Sequence, residues 1–111
     1  MNYRGEHTFK LSNQDFTLAM EYERIEQIEK DTGIGIIQLA RLVALSQAGL
    51  HLLVAIIYHA SGGKVPKKTI GDLILKEGID KIGPDIVVYL RMAFSGGVES
   101  SGDVSEKEPK P

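Results

Sequence analysis

I-G-I-I-Q-L-A-R-L-V-A-L-S-Q-A-G-L-H-L-L-V-A-I-I-Y, residues 34–58, is apolar almost throughout, and its reading decides how the chain folds. At helical spacing it is two helices broken at Ser46. Each carries only a narrow polar stripe, Gln38 and Arg41 on the first and Gln47, His51 and Tyr58 on the second. Helices of this kind need cover on most sides. A small domain readily surrounds a single helix completely, so two in succession must be covered either by the rest of the chain or by another protein.

On the N-terminal side, residues 6–11 and 15–20 alternate apolar with polar and predict a β-hairpin. Phe9 and Leu11 lie on one face and Phe16, Leu18 and Met20 on another, with the turn-forming run Ser12-Asn13-Gln14-Asp15 between them. A lone hairpin is marginal in water, so its apolar face must lie on helices or its edge must pair with another subunit. Residues 21–31 predict a helix with Tyr22, Ile25 and Ile28 inward, and Gly33 as its stop. Its Glu23, Glu26, Glu29 and Lys30 read as a solvated face.

On the C-terminal side, Gly62-Gly63 ends the second central helix, and a fourth helix is predicted from Pro66 to Lys76, with Ile70, Leu73 and Ile74 buried. Pro66 suits its first turn, and Thr69 and Asp72 have capping-box spacing. A fifth is predicted to start at Gly83-Pro84, with Asp85 near its N-terminus and Arg91 near its C-terminus. Ile86, Val87, Leu90 and Phe94 make one apolar face, and Val88, Tyr89 and Met92 extend it around the helix. Residues 98–111 lack periodicity and large apolar side chains and are expected to be a disordered polar tail. The fold class is therefore α+β, mainly α: an N-terminal hairpin and a compact bundle of about five helices in one domain, residues 1–97.

Composition narrows the function. A formal charge of −2 gives no general attraction to nucleic acid or to a membrane surface. Cysteine is absent, which removes disulfides, thiolate metal sites and a cysteine nucleophile. No apolar run approaches the roughly 20 residues of a membrane span. The opening residues M-N-Y-R-G-E-H-T-F have no secretion-signal core, so an intracellular protein is expected.

Motifs that could carry chemistry fail on inspection. Gly33-Ile34-Gly35 follows a helix, and Gln38 replaces the third glycine of a dinucleotide fingerprint; Gly62-Gly63-Lys64 has Tyr58 and Val65 at the outer positions of a phosphate loop. His51 and His59 stand about 12 Å apart along a helix, too far to share a metal. No acid or serine is spaced to complete a site with either. Lys64, Lys67 and Lys68 form a small basic cluster with no interleaved aromatics and read as a solvated loop and helix start. No catalytic, cofactor or metal site is expected. The candidate partner surface is Leu45, Val88, Tyr89 and Met92, apolar positions left over by the predicted stripes.

The hairpin, D-T-G at 31–33, L-A-R-L at 39–42, H-A-S-G-G at 59–63, I-G-D-L-I at 70–74, E-G-I at 77–79 and A-F-S-G-G at 93–97 together resemble a known family. It is the gene transfer agent and tailed-phage family of small tail proteins, generally regarded as tail assembly chaperones. The likeness covers residues 5–97, with Lys67-Lys68 departing from the acidic residues expected at that helix start. It implies a non-enzymatic protein, working in the cytoplasm of a bacterial host, that helps tail tube protein polymerise around the tape measure protein. Homo-oligomerisation fits that role. A structural tail tube or tail completion component retained in the virion is the alternative. In some relatives a ribosomal frameshift appends a second domain after the C-terminal segment.

Overall fold

Phe9, Leu11, Phe16 and Leu18 are buried while the residues between them are exposed, the period-two pattern of a sheet with one face on a core. In a computed structural model, which describes residues 5–96, these residues form strands β1 (Glu6–Leu11) and β2 (Gln14–Ala19), paired antiparallel. Leu11 pairs with Gln14, so the loop is only Ser12-Asn13, both at positive φ (52° and 69°). That is the backbone a two-residue hairpin turn demands, shorter than the four-residue turn predicted. The Ser12 amide donates to Glu77 Oε1 at 3.0 Å, which pins the turn to a distant helix.

Five helices follow: α1 (Tyr22–Thr32), α2 (Ile36–Ala44), α3 (Leu50–Ala60), α4 (Lys67–Glu77) and α5 (Ile79–Arg91). The hairpin-plus-five-helix architecture is thus the one the sequence predicts. The expected tail, 98–111, lies outside the described residues.

α3 is the enclosed member of the central pair. Leu53, Val54, Ala55, Ile56, Ile57 and Ala60 are all buried, and the helix packs on α1, α4, α5 and β2. Each fully buried aliphatic side chain there stabilises the fold by about 1.5–3 kcal/mol. The hairpin lays its apolar face on the helices, β1 against α4 and α5 and β2 against α3. The chain itself therefore covers α3. α2, by contrast, buries only Leu39 and Val43.

Charged residues of α1 do more than face solvent. Arg24 Nη1 donates to the Ala60 carbonyl at 2.6 Å and closes the C-terminus of α3, while Glu29 Oε2 accepts the Ile36 amide at 2.8 Å and opens α2. Both satisfy helix-end groups that have no partner inside their own helix. Tyr22 is 79% exposed rather than inward, because it lies about 120° around the helix from Ile28.

Two helix starts differ from the expectation. α4 takes Pro66 as its N-cap and begins at Lys67, so Thr69 sits within the first turn and the Thr69–Asp72 capping box does not form. α5 begins at Ile79, directly after Gly78 at φ 107°, and Pro84 is inside it. Pro84 has no N–H to give the Asp80 carbonyl, so α5 forgoes one helix bond there. Asp85 consequently leaves the helix N-terminus and receives a hydrogen bond from His7 Nε2 at 2.9 Å.

Candidate functional site

α2 carries apolar residues on two sides. One side, with Leu39 and Val43, enters the core; the other presents Ile37, Ala40, Ala44 and Leu45 at helical spacing. α5 has the same double character. Ile82, Ile86, Tyr89 and Leu90 point inward, and Gly83, Val87, Arg91 and, past the helix end, Phe94 line an adjacent stripe. The two helices pack together, and their second stripes form the walls of an open groove.

The groove has two parts that meet at Ala44 and Val87. One, of about 750 Å³, is lined by Ile37, Ala40, Arg41, Leu45, Arg91 and Phe94 among others. The other, of about 480 Å³, is lined by Ser46, Ala48, Leu53, Ile79, Asp80, Gly83 and Pro84 among others. Ile37 is 64% exposed, and Leu45 and Phe94 are each 58% exposed, so three large apolar side chains stand open along one seam. This seam is the candidate interaction surface of the chain.

The end of α2 shapes the groove floor. Ser46 is left-handed (φ 57°), its amide bonds the Val43 carbonyl at 3.0 Å, and the Gln47 amide bonds the Leu42 carbonyl at 2.7 Å. This is a Schellman closure with serine where glycine is the common choice.

Of the four predicted surface residues, the structure brings only Leu45 to the groove. Tyr89 and Met92 are completely buried and cannot meet a partner. Tyr89 donates its hydroxyl hydrogen to the Ala19 carbonyl at 2.7 Å, and burial pushes the ionisation of that hydroxyl well above the ordinary tyrosine range. Met92 is drawn inward because the chain tightens there. The amides of Met92, Ala93, Phe94 and Ser95 bond carbonyls three residues back. Three-residue turns advance the chain faster than an α-helix, which swings Met92 to the core and Phe94 to the surface. Val88 is partly exposed but does not line the groove.

The missed members are Ile37, Val87, Phe94, Arg41 and Arg91. Starting α5 at Gly83 omits Ile82 from the inward stripe, and without Ile82 the pair Val87 and Phe94 looks interior. A helix start at Gly78, the last glycine before the periodic run, was the available signal.

A second cluster lies on the opposite end of α3. Asp31 Oδ2 accepts hydrogen bonds from His59 Nε2 at 2.8 Å and from Lys67 Nζ at 2.5 Å, and the Lys67 ammonium lies 5.5 Å from the centre of the Tyr58 ring. The bond from Lys67, then that from His59, holds the Asp31 carboxyl below its usual range. The acid that partners His59 is 28 positions away, which local spacing could not reveal. The carboxylate ties α1, α3 and α4 together, and the nearby Ser61 hydroxyl donates to the Tyr58 carbonyl. Lys68 pairs with Asp72 at 3.3 Å, so two of the three clustered lysines are committed to carboxylates.

Among the described residues, no group of three His, Cys, Asp or Glu side chains is placed to hold a metal, and no helix is long and apolar enough to cross a membrane. No protein-family model, curated protein or solved structure matches the chain.

Proposed function

We propose that the protein is a non-enzymatic assembly chaperone for the tail of a phage, prophage or gene transfer agent, binding tape measure and tail tube proteins in the cytoplasm of the bacterial host. The observation that carries the reading is the α2/α5 groove, where Ile37, Leu45 and Phe94 remain open on one side. A chaperone of a long helical client needs apolar surface of this shape, since a helix lays its apolar face into such a groove. The sequence likeness over residues 5–97 supports the same reading. Co-expression with the neighbouring tail genes followed by pull-down tests it. Recovery of tape measure or tail tube protein is expected, and recovery of neither overturns it.

The alternative is a structural tail tube or tail completion component that stays in the particle. It draws support from the hairpin, a two-stranded sheet joined by no third strand among the described residues. Strand edges that no further described strand covers suit lateral addition in an assembly. Mass spectrometry of purified particles separates the two, with stoichiometric recovery favouring the structural component.

A further inference from the structure

The groove is electrostatically polar along its length. Arg41 and Arg91 line one part, and Asp80 lines the other. Among the described residues, none of the three makes an ion pair, so each is available to a charge on whatever fills the groove. Along α5 the lining positions run from Ile79 to Phe94, roughly 22 Å at helical rise. That is the footprint of about four turns of helix.

We propose that the groove takes a single amphipathic helix of another protein, its apolar ridge between α2 and α5, running parallel to α5. The incoming helix sets its N-terminal end at Asp80 and its C-terminal end, flanked by acidic side chains, at Arg41 and Arg91. Both the helix dipole and the flanking carboxylates favour this direction over the reverse. This inference rests on the reading of the groove as a partner surface and adds the chemistry and polarity of what binds.

Two other occupants fit less well. Residues 98–111 contain Val98 and Val104 as their only branched aliphatic residues and no aromatic ones, too little to fill a seam lined by Ile37, Leu45 and Phe94. A second copy brings a groove to meet a groove, and two concave faces leave each other empty.

The test uses the full chain and two fluorescent 18-residue helical peptides with the same leucine stripe. One carries glutamates flanking the stripe in its C-terminal half and lysines in its N-terminal half; the other has the charges exchanged. Fluorescence anisotropy at low salt is expected to show the first binding at least tenfold tighter. The doubly substituted Arg41→Glu, Arg91→Glu protein, checked for native circular dichroism, is expected to reverse the order. Equal affinity for both peptides, or no binding of either, overturns the proposal. A tenfold gain in peptide affinity on deleting residues 97–111 overturns it in favour of the chain's own segment. A dimer that Leu45→Glu converts to monomer overturns it in favour of a second copy. Charge-ordered peptide binding without capture of tail proteins sinks the tail assignment alone, while capture that ignores both arginines sinks the groove proposal alone.

Discussion

His59 and Asp31, 28 positions apart, are joined by a hydrogen bond of 2.8 Å from Nε2 to Oδ2, and the same oxygen receives Lys67. Three helices are thereby fastened at one carboxylate. The Asp31→Asn protein is expected to lose about 1–2 kcal/mol, less than a fully buried charged bond because the group is partly solvated. Urea unfolding at neutral pH measures it.

The acid dependence of the same group has a defined sign. Asp31 is lowered from 3.8 by Lys67 and His59, so its contribution is complete above that value and is lost as pH falls through the lower folded value. The stability difference between wild type and Asp31→Asn is expected to be constant from neutral pH down to about 5 and to shrink below about 4. Denaturant midpoints across that range check it, and a difference that grows in acid contradicts the assignment.

Tyr89→Phe leaves the Ala19 carbonyl without its donor and is expected to cost about 1–2 kcal/mol. Burial raises Tyr89, so wild type also loses stability as pH rises past the ordinary tyrosine value near 10, where only the unfolded chain ionises this group. The phenylalanine variant is expected to lose less over the same interval, read by thermal melts from pH 8 to 11.

Met92 and Leu45 are expected to behave oppositely although both are apolar. Met92→Ala opens a cavity in the core and is expected to cost about 2–5 kcal/mol. Leu45→Ala removes exposed surface and is expected to shift stability by no more than about 0.5 kcal/mol. Chemical denaturation of the two variants measures the contrast, and similar losses would contradict the burial described.

Glycine exchanges test the groove walls without disturbing the core. A Cβ at Gly83 would meet nothing within 4 Å, so Gly83→Ala is expected to stabilise α5 by about 0.5–1 kcal/mol. Ser46 bears a left-handed φ at the cost of strain, and Ser46→Gly is expected to raise stability by about 0.5–1 kcal/mol. Melting temperatures of both proteins check these signs.

Most of the fold was legible because its signals are local. Alternation of apolar and polar residues specified the hairpin, and Gly33, Ser46 and Gly62-Gly63 ended helices where the sequence placed the breaks. Gly83-Pro84 looks like a helix opening because proline is favoured in a first turn, whereas α5 begins at Ile79 and carries Pro84 inside it at the loss of one bond. The site was less legible. Leu45 was found, but Tyr89 and Met92 were not separable from surface residues by hydropathy alone. Their burial depends on a hydroxyl reaching Ala19 and on the tightened turn after Arg91, and neither leaves a local pattern. The His59–Asp31 pair escaped for the same reason.

Bonds from His7 to Asp85 and from Tyr89 to Ala19 clasp the first strand pair to the last helix. During synthesis, the hairpin leaves the ribosome some 60 to 70 residues before α5 does, a delay of roughly 3 to 14 seconds at bacterial-to-eukaryotic elongation speeds. Until α5 arrives, only α3 and α4 are there to cover the hairpin's apolar face, and the side of β1 that meets α5 stays open. The nascent chain thus passes through a sticky adolescence, and its yield in a cell depends on what else is nearby while the final helix is still being made.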